Sequence, residues 1–249
     1  QGQAFVEELV RAKVDVIVTQ GPMVFSAKAA APSIPVVFGF SGDPIAAGLI
    51  ASYARPGGNF TGLSMLALEL VGKRLEFLKQ AAPAIKRVAI VANTSHAGEQ
   101  LELRASREAA DRLGLTVVYV PTTSALELEA AFDTLSRERY DAIVVFPDAL
   151  MIGNARRIAD FATARRVPTV SGWAEFVREG NLLSYGPNTR DTFRQLAGHV
   201  DKVLRGAKPA VIPVAHPSTF ELAINLKTAK ALGITIPPEL LGRADTIVQ

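Results

Sequence analysis

The chain has 249 residues, 49% hydrophobic and 20% charged, a globular composition with room for one large or two smaller α/β cores. Its 27 basic and 24 acidic side chains leave a net charge of +3, and basic doublets such as Lys86-Arg87, Arg156-Arg157 and Arg165-Arg166 are scattered, which weighs against a nucleic-acid partner. The chain lacks cysteine, which excludes disulfides and thiolate chemistry, and no apolar run approaches the ~18 residues of a membrane span.

The start, Gln1-Gly2-Gln3, carries no signal peptide and reads as a processed or trimmed terminus. A helix is predicted over 4–12, with Phe5, Leu9 and Val10 on one stripe, then a buried strand over 14–18. Pro22 suits the first turn of a helix over 22–31, which Pro32 ends; a strand follows at 36–38. Asp43-Pro44 predicts a capped helix over 44–51. A turn at 55–59 leads to a short strand at 60–64 and a long helix over 66–82, ended by Pro83. A second β/α series then begins, with strands at 87–92, 115–120, 141–146 and 168–171. Helices over 97–113, 125–138 and 149–166 separate these strands, and Ser124 with Glu127 forms a capping-box pattern. A short helix at 173–178, a strand at 182–185 and a helix over 188–204 come next. A strand at 220–224, a helix at 226–232 and an irregular or short-helical tail complete the chain. Short apolar strands separated by helices imply an α/β fold with parallel sheets covered on both faces.

In such sheets ligands bind outside the carboxyl ends of the strands. The segments there are Gln20, Gly21 and Pro22, then Phe40, Ser41, Gly42 and Asp43, in the first series. In the second they are Asn93, Thr94, Ser95 and His96, then Pro147-Asp148, then Gly172 to Glu175, including Trp173. Small polar residues at helix starts can hold a small carboxylate or zwitterion, and an aromatic can wall it. Each of them can equally serve as a plain helix cap. His199 reads as a surface or interface residue in mid-helix. Three of the four tyrosines read as packing residues, leaving Tyr185 as the candidate. The three histidines lack metal-ligand spacing, and neither a Walker A loop, a G-x-S-x-G elbow nor a dinucleotide fingerprint is present. An enzyme, a metal site and a cofactor are therefore not expected.

The stretch VDVIVTQGPMVFSAKAAAPSIPVVFGFSGDPIAAGLIASYARPGGNFTGLS resembles the ABC-transporter substrate-binding family that includes tryptophan-type binding proteins. RVAIVANTSH, YDAIVVFPDAL and FELAINLKTAKALGITIPPELL are similar to the same family, so the resemblance covers essentially the whole chain. It implies a type I periplasmic-binding-protein fold, two Rossmann-like lobes joined by three crossovers, with the N-lobe lacking its first β-α-β. The lobes would be 1–64 plus 187–213 and 65–186 plus 214–249. The resemblance also implies a periplasmic solute-binding component of an importer. It would close by a hinge on an amino acid, aromatic acid or related carboxylate and dock on an ABC permease in the inner membrane. By analogy Gly21 or Ser41 would meet a carboxylate, Asp148 or Glu175 an amine, and Trp173 and Phe40 an apolar group. A ligand-sensing domain of a regulator or receptor is the alternative.

Overall fold

The computed structural model describes residues 2–96 and 98–249. In chain order its elements begin with α1 (Gly2–Arg11), β1 (Ile17–Gln20), α2 (Met23–Ala30), β2 (Val36–Phe40), β3 (Phe60–Ser64) and α3 (Ala67–Ala81). They continue with β4 (Arg87–Asn93), α4 (Glu99–Arg112), β5 (Thr116–Thr122), α5 (Glu127–Arg137), β6 (Ala142–Val145), α6 (Ala149–Gly153) and α7 (Ala155–Ala164). The last are β7 (Thr169–Ser171), α8 (Ala174–Arg178), β8 (Leu183–Pro187), α9 (Thr189–Leu204), β9 (Phe220–Asn225), α10 (Leu226–Leu232), α11 (Pro238–Leu241) and β10 (Thr246–Val248).

The backbone groups into two units, each assembled from separated stretches of chain. The first comprises Gln1–Leu66, His96–Gly98 and Thr189–Thr219. Its parallel sheet runs β1-β2-β3. Every residue of β2 is buried, as expected for a strand covered on both faces. Alternation divides those residues: Val36, Phe38 and Phe40 pack with Val6, Val24 and Ala27 of α1 and α2, while Val37 packs with Leu196 and Val203 of α9.

The second unit comprises Ala67–Ser95, Glu99–Asn188 and Phe220–Gln249. Its sheet has the order β10-β9-β8-β7-β6-β4-β5, parallel except where β8 meets β9 antiparallel. On β4, Val88, Ile90 and Ala92 face Leu75 and Leu78 of α3, while Ala89 and Val91 face Leu128, Leu135 and Ile158 of α5 and α7. Each Val, Leu or Ile side chain among these, taken fully from water, contributes about 1.5–3 kcal/mol. This is the doubly covered α/β architecture expected from the alternation of strand and helix patterns.

Several local expectations are corrected. Residues 44–51 form turns rather than a helix: Asp43 does cap, accepting from the N–H groups of Ile45 and Ala46, but Gly48 adopts φ +65° and turns the chain away. The predicted helix 149–166 is two, broken at Asn154, whose φ of −117° and ψ of 12° leave the helical region. The 125–138 helix begins at Glu127; Ser124 Oγ accepts from the Glu127 N–H, and the Glu127 carboxylate reaches back to Thr123 instead of Ser124. The tail, expected to be irregular or short-helical, also contains the three-residue strand β10, which pairs with β9. The predicted start of the helix 97–113 lies outside the described residues; α4 begins at Glu99. Residues 214–219, expected with the second lobe, group with the first unit, where the N–H groups of Val214 and Ala215 donate to Tyr53 and Gly62 carbonyls. His199 is buried and not a surface residue, its ring nitrogens placed against the Gln195 and Pro213 carbonyls.

Candidate functional site

In the first unit the carboxyl ends of β1 and β2 lie side by side, joined where the Gly21 N–H donates to the Gly39 carbonyl. Gln20 and Pro22 are exposed and Gly21 half-buried. Phe40 is a core residue, packed edge-on to Phe25 with ring centroids 6.1 Å apart. Ser41 Oγ lies 3.0 Å from His96 Nε2 within the same unit, and Gly42 sits against Gly98. The Asp43 carboxylate is committed to its turn, as described above. Apart from that capping carboxylate and the His96 imidazole, the group carries no ionisable side chain.

The second unit differs. Asn93 closes an Asx turn by accepting from the Ser95 N–H, and its amide donates to Asp148 Oδ2 at 2.5 Å. Asp148 Oδ1 accepts from the Met151 N–H, the N-cap bond of α6. Thr94 and Ser95 are exposed. Trp173 stands just before α8, half-buried and tilted toward Phe176. Glu175, also half-buried, pairs with Arg178. Tyr185 on β8 is half-buried, its ring edge-on to Phe77 at 5.0 Å. The ends of β4, β6, β7 and β8 thus bring Asn93, Asp148, Trp173 and Tyr185 to one edge of the sheet.

Behind that edge lies a buried charged network that sequence reasoning missed. Arg74 of α3 pairs with Glu102 of α4 at 3.1 Å, with side-chain exposures of 3% and 1%. Its Nε donates to the Tyr185 carbonyl at 2.9 Å. Burial pushes the Glu102 carboxyl up to about 7; Arg74 pulls it down, and Asp148 and Glu99 push it further up. Burial also lowers the Arg74 guanidinium, with Glu102 opposing. Glu102 Oε2 and, one turn on, Ser106 Oγ are buried without a hydrogen-bond partner, a costly arrangement for an ionised carboxylate. Tyr119, read as a packing residue, donates its hydroxyl to Glu99; burial raises that phenol and the bond to Glu99 raises it further. A signal was present in the sequence. Glu99, Glu102, Ser106 and Ala110 share a face of α4, and Arg74 stands three or four residues from Leu70, Val71, Phe77 and Leu78 on the apolar stripe of α3.

Among the described residues no group of three or more His, Asp or Glu could hold a metal ion, and no helix is long and apolar enough to cross a membrane.

A family model described as ABC transporter substrate binding protein matches residues 3–248. The "Tyrosine-binding protein" of Clostridioides difficile (strain R20291) is 26% identical over 92% of this chain, which spans 66% of that protein's length. A crystal structure of a conserved domain protein from Vibrio cholerae superposes with a TM-score of 0.92 at 26% identity, covering 99% of this chain and 82% of the other. The ABC domain from Streptococcus pneumoniae, solved in complex with L-Trp, gives 0.91 at 26% identity, covering 99% and 83%. These structures share the type I periplasmic-binding-protein fold expected from the sequence.

Proposed function

The chain belongs to the ABC transporter substrate-binding protein family, and on that premise we propose that it is the extracytoplasmic solute-binding component of a bacterial importer, selective for an aromatic amino acid. One observation carries the solute class: two relatives, each 26% identical, are described by tyrosine and by L-Trp. The strand-end chemistry supports it. In the first unit the Ser41 hydroxyl, beside the Gly21 turn, offers a neutral group for the ligand carboxylate. In the second unit Asp148 accepts two hydrogen bonds with a carboxylate that has about four lone-pair sites, so capacity remains for an ammonium group. Trp173 and Tyr185 supply half-buried aromatic faces for the side chain. Gln20, Asn93 and Glu175 complete the polar set. The ligand engages loops of both units, favours a hinge-closed form through contacts made only there, and that form delivers it to a permease in the inner membrane from the periplasm.

Thermal melting of the purified chain with L-tryptophan, L-tyrosine and L-phenylalanine tests this. A ligand at ~100 times its Kd adds about 2.7 kcal/mol of stability, visible as a raised melting temperature. A melt unmoved by all three would sink the solute class. Asp148→Asn is expected to lower affinity for L-tryptophan about tenfold or more while sparing indole-3-propionate, which has no ammonium group. Equal losses for both would remove Asp148 from the amine role.

A further inference from the structure

The guanidinium of Arg74 reaches two of the strand ends that carry the candidate ligand residues. Its Nε donates to the carbonyl of Tyr185 on β8. Its Nη2 lies against Gly172, which follows β7 and precedes Trp173: a Cβ added there would sit 2.8 Å from that nitrogen and 2.5 Å from Cγ of Pro147, the neighbour of Asp148. A Cβ on Gly186 would lie 1.8 Å from the Gly172 carbonyl oxygen, so the ends of β7 and β8 meet backbone to backbone at this point. The third contact is Glu102, which fixes Nη1 from α4. A planar fork with donors in fixed directions suits this junction, and an ammonium could not serve all its sides.

We propose that Arg74, held by Glu102, is a positioning residue for ligand binding: it ties Tyr185 to Gly172, against which Pro147 packs, and so sets where Trp173 and Asp148 stand. The inference rests on the reading that this edge holds the solute. Glu102 is the group through which the lock responds to pH. Facing it are Arg74 from α3, Asp148 at the end of β6, and Glu99 from its own helix, which also receives Tyr119. All three histidines of the chain lie in the other unit.

Trp173 is the only tryptophan, so its emission reports this edge without any ligand. Three full-length variants are compared with wild type: Arg74→Lys, which keeps charge and loses the fork; Glu102→Gln; and Arg74→Met with Glu102→Leu, which leaves neither member of the pair unpaired. With Arg74→Lys and the double variant, Trp173 emission moves to longer wavelength, acrylamide quenching rises, and L-tyrosine affinity falls about tenfold. In wild type, quenching and L-tyrosine affinity change together as pH passes through about 7; Glu102→Gln abolishes that step. Unchanged emission and quenching in both Arg74 variants would overturn the positioning role, and so would altered emission with L-tyrosine affinity intact. A wild type that binds no aromatic amino acid, with Trp173 still responding to Arg74→Lys, would instead overturn the solute reading and keep the lock.

Discussion

The two units finish their strands in different electrostatic styles. Among the described residues, every buried carboxylate and guanidinium (Arg74, Glu99, Glu102, Asp148 and Glu221) belongs to the second unit. The strand ends of the first unit offer amide, hydroxyl and imidazole groups with one capping carboxylate. Neutral dipoles are cheap to desolvate and adapt to either end of a zwitterion, whereas buried charges must be paired and therefore come with a rigid support. The difference teaches that the second unit carries the more demanding packing problem, and that changes there should be felt as stability as well as binding.

The largest effect should come from removing one member of the buried pair. Arg74→Met leaves Glu102 without its counter-charge and should cost about 3–5 kcal/mol in a denaturant titration. Adding Glu102→Leu should recover most of that loss; a double variant as unstable as the single one would show that shape, not charge, dominates. Gly186→Ala comes next. Its Cβ collides with the Gly172 carbonyl, so the strands must part, at about 1–3 kcal/mol or more.

The pH dependence is subtler and has a definite sign. Folding raises the Glu102 carboxyl from 4.5 to about 7, so the folded state holds that proton more tightly than the unfolded chain. The contribution is complete below pH 4.5 and is lost as pH rises through about 7. Glu102→Gln should therefore flatten the wild-type decline over this window, and a parallel pH profile in the variant would assign the decline to another group. The smallest effect belongs to the first unit's surface: Phe5 is 62% exposed, and Phe5→Ser should shift stability by no more than about 0.5 kcal/mol.

Much of this molecule was legible in its residues. Continuous apolar runs such as VVFGF and RVAIVAN became doubly covered strands, because nothing else buries both faces of a short β-branched run. The plain helix-cap alternative for Asp148 is what its bond to the Met151 N–H realises. The turn at 44–51 was misread because Asp43-Pro44 is a sound helix start, and only the backbone of Gly48 decides that no helix follows. β10 escaped notice because three residues, none of them fully buried, leave too little periodicity to see. Arg74 and Glu102 escaped for a different reason. A charge on an apolar stripe is ordinarily solvated, and a lone helix pattern cannot show that its partner waits on another helix. Of the candidate site, the loops could be placed from the strand ends, but the support beneath Trp173 and Tyr185 could not.

The interleaving of the two units bears on how the chain is made. Thr61 on β3 donates its hydroxyl to the carbonyl of Ile212, a partner 151 residues downstream. β9 meets β8 only after the chain has supplied Thr189–Thr219 to the other unit. A ribosome releasing this polypeptide in order would therefore expose one edge of β3 for most of translation, and later one edge of β8 until Phe220–Asn225 emerges. The second sheet cannot be completed early, and open strand edges invite mispairing. Such a chain gains from being kept extended until its last third has emerged.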